Sequence, residues 1–104
     1  MLELRPNCEL CDCDLPADCE HARICSYECT YCANCVDTIL HDVCPKCGGN
    51  FAPRPIRPAK AYRFEPKLGL ANQPASNTRV HTKYSKEEIL QFTDRLRYVA
   101  ADER

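Results

Sequence analysis

The sequence predicts a small metal-stabilised α+β unit with a short hairpin and one short helix, followed by an extended Pro/Arg linker and a C-terminal amphipathic helix. Three observations lead there. Eight of the ten cysteines stand at ligand spacing, the stretch that holds them has few apolar residues, and residues 85–104 open on a helix-start signal ahead of an apolar stripe.

The cysteines form a ladder: Cys8, Cys11, Cys25, Cys29, Cys32, Cys35, Cys44 and Cys47. As spacings this is C-x2-C, thirteen residues, C-x3-C-x2-C-x2-C, eight residues, C-x2-C. Two thiolates separated by two residues can grip one tetrahedral ion from a tight turn, so eight suffice for two closed structural zinc shells with no open position for a substrate. Residues 1–51 are the metal module, and its apolar candidates are Leu4, Leu10, Leu15, Ile24, Tyr27, Tyr31, Val36, Ile39, Leu40, Val43 and Phe51. A unit of that size buries too little apolar surface to fold unaided. Structural zinc, at about 10 to 16 kcal/mol per site, would supply the missing stability. A disulfide scaffold is the rival reading of ten cysteines. The start MLELRPNCE shows no basic segment followed by an apolar run, and no apolar stretch is long enough to span a membrane, so a reducing cytoplasm is expected.

Within the module, Ala22 to Ser26 reads as a strand, Val36, Ile39, Leu40 and Val43 as a short helix leaving Cys35, and Pro45 with Gly48-Gly49 as a metal-binding knuckle. Residues 52–84 form the basic linker and loop. Pro53, Pro55 and Pro58 alternate with Arg54, Arg57 and Lys60 in an extended run, Tyr62 and Phe64 suit a short strand if a sheet edge receives it, and 66–84 reads as loop. In residues 85–104, Ser85 and Glu88 form a capping box. Ile89, Phe92, Leu96 and Val99 then share one helical face from about Lys86 to Ala101. That face is expected to pack on the module; a homodimer through the same face is the alternative.

Charge is divided along the chain. Residues 1–47 hold three bases and nine acids, a net −6, whereas residues 48–104 hold eleven bases and six acids, a net +5. Four thiolates on zinc add a formal −2 at each site, so the basic tail is the natural counter-charge and is expected to lie back over the module.

The ladder resembles a RING finger in all-cysteine form, with Cys29 at the position usually held by histidine. Leu10 between the first ligands, Tyr31 before Cys32, Val36 after Cys35 and the proline in Cys44-Pro-Lys-Cys47 extend the likeness. The opening MLELRPNCE, with ARICSYECTYC and CPKCGG, also resembles a family of short bacterial proteins of unknown function, over residues 1 to about 58. Spacing permits sequential or interleaved pairing of the ligands. The RING resemblance implies the interleaved cross-brace, with Cys8, Cys11, Cys32 and Cys35 on one zinc and Cys25, Cys29, Cys44 and Cys47 on the other. Cys13 and Cys19 stand outside the ladder; they are read as free thiols, although either could replace a neighbouring ligand. His41 and His81 have no partner motif and are read as surface residues.

The expected function is a non-catalytic scaffold that presents a zinc-stabilised surface to a protein partner. No nucleophile beside a base, phosphate loop or paired carboxylate is recognisable, so no enzyme activity is expected. A RING-type ubiquitin ligase is the alternative, favoured by Leu10 and Pro45 but opposed by Gly48, where active ligases often carry Arg or Lys. Nucleic-acid binding is a second alternative, through Arg54, Arg57, Lys60, Arg63 and Lys67 beside Tyr62 and Phe64. Zinc storage or redox sensing would draw on Cys13 and Cys19 and predicts labile metal.

Overall fold

A computed structural model describes all 104 residues. Its centre is a hairpin of β1 (Ala22–Ile24) and β2 (Thr30–Cys32), paired antiparallel with Ala22 opposite Cys32 and Ile24 opposite Thr30. The connection from Cys25 to Cys29 closes with the left-handed Glu28 (φ 69°) and with Glu28 N–H donating to Cys25 C=O. This turn sets Cys25 and Cys29 side by side at the hairpin's end. The sheet gains a third strand from β3 (Ala52–Pro53) on the free side of β1, giving the order β2-β1-β3. Pro53 suits that place, because an edge strand can spare a backbone donor.

From β2 the chain turns directly into α1 (Ala33–Cys35), which continues over Val36–Leu40 with wider π winding. Cys32 caps it, its sulfur accepting from Cys35 N–H. The Thr38 hydroxyl donates to Asn34 C=O at 2.7 Å, so a side chain competes there for a carbonyl of the regular helix. Left-handed His41 and Asp42 (φ 47° and 62°) end the element, and the Asp42 carboxylate accepts from Phe51 N–H, drawing β3 toward the helix end. Buried Val36 and Leu40 face the core with Leu15, Tyr31 and the thiols of the module, and Phe51 meets the Tyr31 ring edge-on at 5.4 Å.

The tail lies back over the module, as its charge suggests. Running alongside residues 4–9 in the same direction, Ser76 N–H donates to Leu4 C=O, Val80 exchanges hydrogen bonds with the Asn7 side chain, and Thr82 N–H donates to Glu9 C=O. Arg79 bridges Asp12 and Asp14 at 3.0 and 2.8 Å. The capping box at Ser85 is formed in full and starts α2 (Lys86–Leu96). Ile89 of α2, only 1% exposed, joins the module's core. Arg104 closes the tail, donating to the carbonyls of Asp42 and Gly48.

Three sequence expectations change. Tyr27 is 75% exposed at the hairpin turn rather than in the core, because Cys25 and Cys29 at the base of that turn take the inward positions. Tyr62 and Phe64 form no strand; the edge of β1 that could have received them is occupied by Ala52–Pro53. Arg54 and Arg57 are structural: Arg54, 4% exposed, donates to the carbonyls of Arg5, Leu15 and Pro16, and Arg57 to those of Leu2 and Gln73. No helix is long and apolar enough to cross a membrane.

Candidate metal centre

The cysteines gather in two groups. Cys8, Cys11, Cys13 and Cys32 have sulfurs all within 4.8 Å of one another, and so do Cys25, Cys44 and Cys47. Of the expected ligands of the first site, Cys8, Cys11 and Cys32 therefore converge, joined by Cys13. Cys35, buried, adjoins them through its backbone, its N–H donating to Cys32 Sγ at 3.4 Å, but its sulfur is not one of the converging four. Of the second site, Cys25, Cys44 and Cys47 converge; buried Cys29 is outside that converging set and is tied to Cys25 through the backbone, Cys25 N–H donating to Cys29 C=O at 3.2 Å. Cys19 joins neither group, and its sulfur accepts from His21 N–H.

Each group is assembled by local backbone geometry. Residues 8–13 make a knuckle in which Asp12 N–H donates to Cys8 C=O and Cys8 N–H to Cys13 C=O, both at 2.9 Å. Asp12 is left-handed (φ 65°), which turns Cys11 and Cys13 toward the same point. The second knuckle, Cys44 to Gly49, is closed by Gly48 N–H to Cys44 C=O and Cys44 N–H to Gly49 C=O, both at 2.8 Å. Gly48 has φ 81°, and a Cβ there would sit 3.2 Å from Leu96 Cδ1. The backbone conformation favours glycine there, and a side chain would also make Leu96 shift slightly.

The donor set fits zinc. Four sulfurs at about 2.3 Å from a tetrahedral ion stand about 3.8 Å apart, and Cys11 Sγ and Cys32 Sγ are 3.8 Å apart. Backbone N–H groups already point at the sulfurs, from Cys11 to Cys8, from Cys35 to Cys32 and from Gly49 to Cys47. Such donors orient ligands and temper their negative charge. Protonation follows the same contacts. Cys25 is pulled down to about 2 because the thiols of Cys29 and Cys44 donate to it. The reciprocal contact with Cys25 pushes Cys29 up to about 11 and raises Cys44 as well. At Cys11 burial acts upward, but donors from Cys13, Cys8 and Cys32 outweigh it and bring the thiol down to about 7. Cys13 is pushed up to about 12 by desolvation and by its bond to Cys11. An incoming cation must displace these shared protons, which couples its uptake to pH.

Around the centre, two polar residues escaped the sequence reading. Asn7, fully buried, donates to Asp12 Oδ1, Cys8 C=O and Val80 C=O. Glu9, also buried, accepts from Arg5 and from Thr30 N–H, tying the first knuckle to β2. Cys13, read from the sequence as a free thiol that could replace a neighbouring ligand, joins the first group: it stands two residues past Cys11, across an Asp that tolerates a left-handed turn. The helix α2 lies over the ground between the knuckles, with Ile89 bordering Leu10 and Ile39 on one side and Pro45 and Lys46 on the other.

Comparison with known proteins agrees with the bacterial likeness. A family described as "Protein of unknown function (DUF1272)" matches residues 1–57. An uncharacterized protein, R02474, of Rhizobium meliloti (strain 1021) is 51% identical over 80 residues, covering 77% of this chain and 86% of that protein. No solved structure matches. By the extent of the family match and the identity of this relative, the chain belongs to the DUF1272 family.

Proposed function

We propose that the chain is a non-catalytic zinc scaffold for a protein partner, built as a RING-like cross-brace of two structural zinc ions. In this reading Cys8, Cys11, Cys32 and Cys35 hold one ion, and Cys25, Cys29, Cys44 and Cys47 the other. The grouping of Cys8 and Cys11 with Cys32, across a hairpin whose Cys25 groups with Cys44 and Cys47, supports the interleaved order. Four thiolates would complete each shell and leave no position for a water or substrate, which supports a structural role.

The observation that carries the interaction reading is the arm from Ile56 to Leu68. Tyr62 and Phe64 are 81% and 90% exposed there, with Ile56 and Leu68 also exposed, while Arg57 anchors the arm's start. Large aromatic side chains held in water at that density are a recognised mark of a protein-binding surface. The same segment gives nucleic acid less to bind than its sequence promised, since Arg54 and Arg57 are committed to carbonyls. The ligase alternative loses support because α2 lies over Leu10 and Pro45. Zinc analysis giving two ions per chain, together with crosslinking in the native bacterium, tests the proposal. Tyr62→Ser/Phe64→Ser is expected to keep both ions and lose the crosslinked partner; a variant that retains the same partner would refute the assigned surface.

A further inference from the structure

The first cluster holds more thiols than one ion can use. Cys8, Cys11, Cys13 and Cys32 converge, and buried Cys35 adjoins them from the helix side, its N–H donating to Cys32 Sγ at 3.4 Å. A tetrahedral zinc takes four of the five. They differ in access: Cys8, Cys32 and Cys35 are buried, whereas Cys11 and Cys13 are exposed at the mouth. Cys13 is also no floppy neighbour. Its carbonyl accepts from Cys8 N–H, and the Asp12 turn before it is gripped by Asn7 and by Arg79, at 2.9 and 3.0 Å.

The other group offers no such surplus. Besides Cys25, Cys44 and Cys47 it has only Cys29, across the hairpin turn from Cys25, so a tetrahedral shell there uses every thiol. The two sites therefore differ in their surplus of thiols. Zinc has no electronic preference for one geometry and can expand to five ligands in passing. A fifth thiolate within reach lets one Zn–S bond form as another breaks, without exposing a three-coordinate ion.

We propose that the first cluster is an exchangeable zinc site in which Cys13 is the incoming ligand, and that the second cluster is the static one. This rests on the two-zinc reading above. In the exchange step the Cys13 thiol gives its proton to solvent and bonds the metal. The thiolate it displaces, Cys11 at the mouth, takes up a proton or passes to the arriving ion. No electron is transferred: a Zn–S bond to Cys13 forms as the Zn–S bond to Cys11 breaks, and the proton lost by Cys13 is balanced by solvent or by the one Cys11 takes up.

The test uses the full zinc-loaded chain, mixed with an excess of isotopically enriched zinc ions and followed by native mass spectrometry. One of two ions is expected to exchange fast in the wild type. Cys13→Ser is expected to keep two ions while the fast phase slows by about tenfold or more, a barrier increase of about 1.4 kcal/mol. Cys19→Ser, which removes a thiol outside both clusters, is expected to exchange like the wild type. The inference is overturned if Cys13→Ser exchanges at the wild-type rate, if it holds only one ion, or if Cys19→Ser slows equally. A wild-type chain that binds fewer than two ions would instead overturn the two-zinc reading itself.

Discussion

Arg54 offers the sharpest test of how the module is held together. Its guanidinium enters the interior with no carboxylate beside it, and burial lowers its pKa from the ordinary arginine value. Three backbone carbonyls take the place of a counter-ion: Arg5 C=O at 2.8 Å, Leu15 C=O at 3.1 Å and Pro16 C=O at 3.0 Å. The bond to Leu15 is fully buried, and the other two are partly open to water. Arg54→Ala therefore strands one acceptor and lets solvent rescue two. A buried hydrogen bond to a charged group is worth about 2 to 3 kcal/mol and each rescued one about 1 kcal/mol, so the loss is expected at about 4 to 5 kcal/mol. Arg54→Lys keeps the charge but cannot fork between Arg5 on one side and Leu15 and Pro16 on the other, and should fall between. Urea unfolding followed by circular dichroism measures this, with free zinc fixed because metal binding adds to apparent stability. A change under about 1 kcal/mol for Arg54→Ala, against typical domain stabilities of about 5 to 15 kcal/mol, would refute the claim that this side chain joins β3 to the N-terminal segment.

Other outcomes follow from the same contacts. Ile89→Ala should cost about 2 to 4 kcal/mol and loosen α2, read as faster amide exchange over Lys86–Leu96 with both zinc ions retained. Gly48→Ala should destabilise by about 1 to 2 kcal/mol, through strain at φ 81° and pressure on Leu96; wild-type stability would mean that α2 does not rest on the knuckle. A strong chelator should abolish the module's dichroism and protease resistance, and an unchanged spectrum after metal loss would defeat the metal-stabilised reading. Sedimentation equilibrium should give a monomer, because Ile89, Phe92 and Leu96 are already spent on the module.

What the sequence disclosed was local. The capping box and apolar stripe of α2, the strand before Cys25 and the helix after Cys35 are each written within a few neighbouring residues and are present, although α2 ends at Leu96 rather than near Ala101 and leaves Val99 beyond it. The two cysteine groups were foreshadowed because C-x2-C is itself a local turn. Arg54 was not, since its meaning depends on Leu15, 39 positions away, and Asn7 depends on Val80, 73 positions away. A basic residue in a proline-rich run looks solvated until the chain folds back on it. Cys13 was legible only as a possible replacement ligand: two residues beyond Cys11, it departs from the spacing that organised the other eight.

The order of the two cysteine groups along the chain has a consequence for how the molecule can come apart. The first draws on residues 8 to 32 and the second on 25 to 47, so both share the hairpin from Cys25 to Cys32. No cut in that shared segment spares either, and neither can be excised as an independent peptide. Vacating one would leave the common hairpin tethered from one side only, and the loss would spread to its neighbour. With ions in both groups, turnover of one would spare the other only if the replacement were seated before the old ion left.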